Sequence, residues 1–254
     1  MYDDFSEDYD RFVNWTGRLA YELPFLEKTL AQAAVGGAVL DSACGTGMHA
    51  ISLAQKGYAA AGADLSPKMV ARARSNARQA GVDVRFEATG FGGLAKTFGV
   101  RSFDALLCLG NSLPHVLSEA GLRAALGDFV ACLRPGGMLV LQNRNFDAVV
   151  KRRERWMEPQ SHREGEREWL FLRFYDYQAD GLIAFNIINL RRERDQPWEQ
   201  RVMSTPLRPL LQEETLRLLG EAGFSQVTCY GDMSGSSFDP EKSGNLVVVA
   251  RLAD

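Results

Sequence analysis

Short apolar runs alternate with amphipathic stretches over much of the chain. The runs have the length and composition of buried strands, and they lie at 38–40, 59–64, 82–87, 103–109 and 138–142. Apolar residues at helical spacing lie between them, most clearly at 68–80 and 122–133. Ser66 and Pro67 begin the first of these helices, and Gly81 ends it. Strands that alternate with helices predict right-handed β-α-β units around a parallel sheet, and hence an α/β fold.

The alternation fails between residues 145 and 210. Residues 168–177 and 182–190 indicate two strands joined by a hairpin turn, and 199–205 is a candidate third. We therefore predict an antiparallel β flap, residues 151–208, inserted after strand five. Its aromatic residues are predicted to form flap core, but Tyr175 and Tyr177 are equally compatible with a substrate wall.

The two ends of the chain complete the predicted organisation. A helix at 213–222 precedes strands at 226–230 and 245–252. At the other end, aromatic residues recur at helical spacing from Tyr2 to Trp15, and Pro24 is expected to divide the segment into at most two helices. We predict an N-terminal helical lid at 1–34, with packing on the core as the simpler alternative. The main domain then comprises 35–150 and 209–254.

Composition narrows the functional classes. A chain of 254 residues suits one large domain or a domain with an insertion, and a net charge of −3 gives no general affinity for nucleic acid or anionic membranes. The four cysteines are scattered without metal-ligand spacing, so neither a metal site nor a disulfide framework is expected. No signal peptide and no apolar run long enough to span a membrane is evident. We predict a cytoplasmic protein with no nucleic-acid or membrane partner.

A glycine-rich turn after the first strand predicts a nucleotide-type site. Gly45 and Gly47 allow a tight turn and close approach of a ligand to the backbone, and the following helix directs its free N–H groups there. Residues 45–50 also match the dinucleotide fingerprint G-x-G-x-x-G/A. Asp41 separates the two cofactor classes, because a second anion would repel a pyrophosphate but attract an ammonium or sulfonium. S-adenosylmethionine is therefore favoured over NAD.

Polar residues follow four of the predicted strands. Asp41, Asp64, Asn111 and Arg144 each lie at or just beyond a carboxyl end, where α/β sheets bind ligands. Asp64 follows Gly45 by 19 residues, the place of a carboxylate that accepts ribose hydroxyls.

Four stretches resemble the class I S-adenosylmethionine-dependent methyltransferases, and most closely the glycine N-methyltransferase-like group. Residues 39–47 resemble motif I and residues 64–69 resemble motif II. The narrower resemblance rests on residues 108–115 and on 133–137 through 143–147. It implies a Rossmann-like seven-stranded sheet, mostly parallel with an antiparallel last strand, and S-adenosylmethionine as cofactor.

The resemblance also implies residue roles. Arg144 would hold the acceptor's carboxylate, Asn111 would line the same pocket, and Arg18 would meet the donor's carboxylate. Motif II implies ribose contact by Asp64 and adenine contact by Met69. The family often has an Asp after the third strand where this chain has residues 88–91, so backbone, Thr89 or Phe91 would hold adenine. The other predicted cofactor contacts are Ala43, Gly45, Thr46, Gly47, Leu65, Gly90 and Leu109.

These expectations favour methylation of a small acceptor that bears an amine and a carboxylate, such as glycine. Positioning by Arg144 and Asn111 would carry most of the catalysis of an in-line displacement. His115 is a candidate for proton release, or else a structural histidine, and Asp147 is an alternative partner that would neutralise Arg144. The alternatives are O- or C-methylation, a non-catalytic protein that binds the donor, and an NAD-linked oxidoreductase. A nucleic-acid methyltransferase is disfavoured by the charge.

Overall fold

The computed structural model describes residues 2–6, 8–32 and 37–253. The predicted boundary between the N-terminal segment and the main domain, at residues 34 and 35, therefore lies outside the described residues. Tyr2 is described by its backbone alone.

A seven-stranded sheet forms the centre of the main domain. Its order is β10-β11-β5-β4-β1-β2-β3, and β11 is antiparallel to both of its neighbours while the other adjacent pairs are parallel. The predicted mostly parallel sheet with an antiparallel last strand is thus confirmed. The strands are β1 (Ala38–Asp41), β2 (Ala59–Asp64), β3 (Arg85–Ala88), β4 (Phe103–Cys108), β5 (Leu133–Arg144), β10 (Phe224–Tyr230) and β11 (Asn245–Leu252).

Helices cover both faces of this sheet. Leu106 of β4 packs in a core cluster with α7 and α9, whereas its neighbour Leu107 packs with α3 on the opposite face. Such alternation is what a strand buried on both faces requires. The helices are α3 (Trp15–Leu30), α4 (Met48–Gln55), α5 (Pro67–Ala80), α6 (Leu94–Phe98), α7 (Glu119–Cys132), α8 (Phe146–Arg152) and α9 (Gln212–Glu221).

The N-terminal segment differs from its prediction. Two short helices, α1 (Tyr2–Phe5) and α2 (Tyr9–Phe12), precede α3, and Pro24 lies inside α3 rather than ending it. A proline removes one helical hydrogen bond, but here both Pro24 and Ala20, whose carbonyl loses its donor, are exposed to water. The opposite side of α3 buries Phe25 and Leu26 against the sheet, which offsets that loss.

The predicted flap is a separate antiparallel sheet of four strands. Its order is β6-β7-β8-β9, and the hairpin between β7 and β8 is the predicted one. The prediction missed β6, because this edge strand is mostly exposed and its sequence carries no alternating apolar signal. The strands are β6 (Gln160–Glu164), β7 (Arg167–Tyr177), β8 (Ile183–Glu193) and β9 (Glu199–Leu207).

The flap and the first helices share a hydrophobic cluster. Phe5 of α1 is 1% exposed and packs with Trp169, Phe171 and Ile187 of the flap. The N-terminal helices therefore lie between the flap and the carboxyl edge of the main sheet, where the candidate ligand residues are found.

Candidate active site

The glycine turn and Asp64 are joined by backbone hydrogen bonds. Asp64 Oδ2 accepts from the N–H of Gly45 at 2.9 Å, and its Oδ1 accepts from the N–H of Ser66 at 2.9 Å. Burial raises the pKa of Asp64. Gly47 has φ +83°, and a Cβ there would lie 2.7 Å from the Phe86 ring, so only glycine fits. The predicted turn and the predicted ribose carboxylate thus lie side by side.

Asp41 provides a buried acceptor beside the same turn. Asp41 is 2% exposed, and its Oδ1 has no hydrogen-bond partner among the described residues. Burial raises the pKa of Asp41 to about 6, although the amide of Ala43 opposes the rise. An unpaired buried carboxylate oxygen is costly unless a ligand donor meets it. The ammonium group of S-adenosylmethionine is a donor of that kind, so this residue fits the predicted cofactor.

Arg18 is held by a buried polar network near Gly110. Its Nε lies 3.0 Å from Glu22 Oε2, which also lies 2.7 Å from His49 Nε2. Gln142 Nε2 donates to Glu22 Oε1 at 3.2 Å, and Gln142 Oε1 accepts from the N–H of Gly110 at 3.1 Å. Burial alone would raise the pKa of Glu22, but the hydrogen bond from His49 and the Arg18 charge outweigh it and lower the pKa to about 2. Arg18 is therefore an oriented cation at the strand ends.

The helix α2 contacts the glycine turn directly. A Cβ on Gly45 would lie 3.4 Å from the Tyr9 ring. Asp10 accepts hydrogen bonds from the Thr46 hydroxyl at 2.6 Å and from Arg72 Nε at 3.0 Å. Thr46 is predicted to contact the cofactor, but its hydroxyl donates to Asp10 of α2, so a contact from Thr46 would use its backbone.

Leu65, a predicted cofactor contact, and Met69, predicted to contact adenine, follow Asp64 closely in the chain. Leu65 is 79% exposed and lies against Gly90, where a Cβ would be 3.0 Å from Leu65 Cδ1. Met69 is buried at the start of α5. The exposed side chain of Leu65, next to Asp64, offers an apolar surface of the kind that an adenine ring requires.

Three other predicted cofactor contacts turn their side chains elsewhere. The Phe91 ring packs edge-on against Phe129, with 5.2 Å between centroids. The Thr89 side chain points to Gly93, and the Leu109 side chain is buried in the α3 cluster. Any contact from Thr89 or Leu109 to the cofactor would therefore use the backbone.

A cavity of about 260 Å³ lies between the strand ends, the first helices and the flap. Asn111, His115 and Arg144 line it together, as predicted for one acceptor site. Asn111 has φ +67°, a left-handed conformation that asparagine tolerates. Its Oδ1 accepts from the backbone N–H of Arg144 at 3.0 Å, which ties the ends of β4 and β5 together.

Arg144 has a free hydrogen-bonding edge in this cavity. Its Nη2 lies 3.3 Å from Glu154, but its buried Nε has no partner among the described residues. The alternative pairing with Asp147 is wrong, because Asp147 Oδ2 accepts from the N–H of Gln212 at the start of α9. His115 lines the cavity too, and burial lowers its pKa to about 4, so the ring is neutral at neutral pH.

The cavity contains residues that the sequence analysis did not assign. Asn143 is 1% exposed, and neither atom of its amide has a partner among the described residues. Tyr175 lines the cavity, and burial raises its pKa to about 12. Tyr177 instead places its hydroxyl 2.8 Å from the Val149 carbonyl and has a structural role.

Arg173 is the least expected member of the cavity wall. In β7 it belongs to the inward row that also includes Trp169, Phe171 and Tyr175. A charged residue within a row of buried aromatics is the sequence signal that would have identified it.

The sheet order, the glycine turn and the two strand-end acids define a class I S-adenosylmethionine-dependent methyltransferase. The family model described as "Methyltransferase domain" matches residues 39–137. No helix in the described part of the chain is long and apolar enough to cross a membrane.

Comparisons with known proteins specify the family. A glycine/sarcosine N-methyltransferase from Aphanothece halophytica is 32% identical over 234 residues, which cover 91% of this chain and 82% of that protein. One from Halorhodospira halochloris is 30% identical over 245 residues and covers 94% and 84%. The crystal structure of an S-adenosylmethionine-dependent methyltransferase from Clostridium acetobutylicum shares the fold, with a TM-score of 0.79, 17% identity and coverage of 100% and 99%. This chain belongs to the family of the glycine/sarcosine N-methyltransferases. The NAD-linked alternative is thereby rejected.

Proposed function

We propose that this methyltransferase N-methylates glycine or a closely related amino acid. The observation that carries the proposal is the cavity at the ends of β4 and β5, where Arg144 presents an unpartnered Nε beside Asn111. A guanidinium binds a carboxylate with two parallel hydrogen bonds, so this edge suits an amino acid. The relatives named glycine/sarcosine N-methyltransferase support the same class of acceptor.

The chain's own residues would act mainly by positioning. When bound, S-adenosylmethionine would supply an activated methyl group: the neutral amine would attack the methyl carbon in line, the C–S bond would break, and S-adenosylhomocysteine would leave as the thioether. Asp41 would hold the donor's ammonium, Asp64 its ribose hydroxyls, and Arg18 its carboxylate. Arg144 and Asn111 would hold the acceptor so that its nitrogen faces the methyl group.

His115 is the predicted candidate to receive the proton that the amine must lose. Its low pKa keeps it neutral and able to accept a hydrogen bond, but makes it a weak base. We therefore assign proton release to solvent after transfer, with His115 as an orienting acceptor.

The helices α1 and α2 would serve as a lid over both ligands. Support comes from Tyr9 against Gly45 and from Asp10, which accepts from Thr46. The four cysteines are unpaired in the described residues, which suits a reducing, cytoplasmic location.

An acceptor panel tests the proposal. The purified protein is incubated with methyl-labelled S-adenosylmethionine and glycine, sarcosine, dimethylglycine, alanine or methylamine. We expect transfer to nitrogen of glycine or sarcosine and little transfer to methylamine, which lacks the carboxylate. Equal turnover of glycine and methylamine would contradict carboxylate recognition. A product methylated on oxygen or carbon would assign the site to another acceptor class.

A further inference from the structure

Arg173 is a largely desolvated cation that no carboxylate among the described residues pairs with. Its side chain projects from the centre of β7 into the cavity wall, opposite Ile187 of β8. None of the ion pairs among the described residues includes it. Its buried Nε has no hydrogen-bond partner there, and its Nη2 reaches only the Glu158 carbonyl at 3.4 Å. A guanidinium so placed is costly unless an anion binds to it.

The surroundings of Arg173 make it part of one anion-binding surface. Phe12 covers it, with 5.1 Å from the guanidinium carbon to the ring centroid. Burial lowers the pKa of Arg173, and the charge of Arg144 lowers it further. Both cations also act on the Tyr175 hydroxyl, whose pKa each of them lowers against the larger effect of burial. Arg144, Arg173 and Tyr175 all line the same cavity of about 260 Å³, so one ligand bound there can contact all three.

The balance of charge favours a carboxylate between the two arginines. Arg18 is matched by Glu22, but Glu154 is shared between Arg144 and Arg152. Because none of the ion pairs among the described residues includes Arg173, this part of the cavity wall has an excess of positive charge. An acceptor's carboxylate would supply the anion that balances this excess.

We propose that Arg173 of the flap is a second binding residue for the acceptor's carboxylate, which it shares with Arg144 of the main sheet. The inference rests on the proposed function, since it concerns the same acceptor site. Its consequence is that specificity depends on the flap as well as on the sheet. The acceptor's carboxylate would bridge Arg173 of the flap and Arg144 of the main sheet. The ring of Phe12 in α2 covers the Arg173 guanidinium.

Kinetics on two variants of Arg173 test the proposal. Arg173→Met removes the charge, and we expect the KM for glycine to rise roughly 10- to 100-fold, the range for loss of a charged hydrogen bond. The kcat and the Kd for S-adenosylmethionine should remain near wild type, because the contact holds the acceptor before and during transfer. Arg173→Lys keeps the charge without the planar fork and should give an intermediate KM.

A matched control lies on the same strand. Arg167 is exposed and pairs with Glu193, so Arg167→Met makes the same chemical change outside the cavity and should leave the KM unchanged. Circular dichroism and thermal melting identify any variant that fails to fold. An unchanged glycine KM in folded Arg173→Met would overturn the proposal. A raised KM for aspartate with an unchanged KM for glycine would also overturn it, because Arg173 would then hold a second acid group.

A binding measurement separates this inference from the proposed function. Acetate labelled with ¹³C is titrated by NMR into the protein saturated with S-adenosylhomocysteine. We expect acetate to bind wild type and Arg167→Met equally, and Arg173→Met at least about tenfold more weakly. That result would support the shared carboxylate site even if no amino acid in the panel were methylated. Equal acetate binding by Arg173→Met, or none by wild type, would overturn it whatever the acceptor proves to be.

Discussion

At the scale of single residues, the ionisation of Asp41 should make donor binding depend on pH. The pKa of Asp41 in the ligand-free protein is about 6 because of burial. A bound ammonium would favour the ionised carboxylate and lower that pKa. Donor binding should therefore be strongest above this pKa and weaken as the pH falls through it, by up to about tenfold per pH unit.

Calorimetric titration of S-adenosylmethionine at a series of pH values checks this prediction. The Kd of the wild type should be lowest near neutral pH and rise below about pH 6. The comparison is made below about pH 8, where the donor's own ammonium begins to lose its proton. Asp41→Asn cannot ionise, so its Kd should be higher at neutral pH and nearly independent of pH. A wild-type Kd that does not change across this range would remove Asp41 from the ammonium site.

Arg144 is expected to affect the acceptor but not the donor. Lysine keeps the charge at this position but cannot form two parallel hydrogen bonds with a carboxylate. Arg144→Lys should therefore raise the glycine KM roughly tenfold or more and leave the donor Kd near wild type. Initial-rate kinetics measure the first value and calorimetry the second. Arg152→Lys, an exposed change on the adjacent helix α8, is the matched control.

Four site residues were predictable because a local rule governs them. Asp41, Asp64 and Arg144 end their strands, and Asn111 follows β4 closely, so the parallel sheet brings them to one edge. Tyr9 and Asn143 depend instead on how separate elements pack, which no local pattern specifies. The alternation along β7 marks Arg173 as a charged residue in a buried row, but not that this row faces the cavity. The pairing of Arg144 with Glu154 rather than Asp147 was equally unpredictable, because it depends on how the turn after α8 places Glu154.

At the scale of elements, Asp10 fastens α2 to the main domain. Its carboxylate accepts from Thr46 of the glycine turn, from Arg72 of α5 and from Trp15 of α3. If α1 and α2 form a lid, Asp10→Ala should open it and weaken donor binding by several-fold or more, since charged hydrogen bonds are lost.

Amide hydrogen exchange and calorimetry test the Asp10 prediction together. Faster exchange over residues 9–12 and a raised donor Kd are expected for Asp10→Ala. Thr16→Ala, an exposed change in α3, should alter neither. Faster exchange with an unchanged Kd would show that the segment is packing alone.

Element prediction succeeded where capping or periodicity is strong. The start of α5 at Ser66 and Pro67 and its end at Gly81 agree with the structure, in which the Ser66 hydroxyl accepts from the N–H of Met69 at 3.1 Å. Failures occurred where tertiary packing overrides local preference. Pro24 is tolerated because the buried side of α3 stabilises the helix, and β6 forms because β7 offers it an edge.

At the scale of the whole molecule, the alternation of apolar runs and amphipathic stretches predicted the sheet and the insertion after strand five. It did not predict how the flap contacts the N-terminal helices. Asp8 illustrates the missing information. It accepts from Asn189 Nδ2 at 2.7 Å, across a sequence separation of 181 residues. Neither partner lies in a motif, so only the folded chain reveals that residues of the N-terminal helices and of the flap line one cavity together.

Glu22 stabilises the whole domain by connecting three elements. It joins Arg18 of its own helix α3 to His49 of α4 and Gln142 of β5, with its side chain 6% exposed. Its pKa of about 2 in the folded state lies below the ordinary 4.5. The ionised carboxylate therefore stabilises the fold above about pH 4.5, and this contribution is lost as the pH falls toward 2.

Glu22→Gln should lower the free energy of unfolding at neutral pH by roughly 2–4 kcal/mol. The difference from wild type should be constant above about pH 4.5 and shrink below it. Urea denaturation at several pH values measures this difference. Glu27→Gln is the matched control on the same helix, because the side chains of Glu27 and its partner Lys56 are 38% and 41% exposed and such solvated pairs contribute at most about 1 kcal/mol. Glu22→Gln should also bind S-adenosylmethionine more weakly than wild type, since Arg18 loses the carboxylate that orients it. Equal denaturation midpoints for wild type and Glu22→Gln would mean that the cost of burying this network equals its gain.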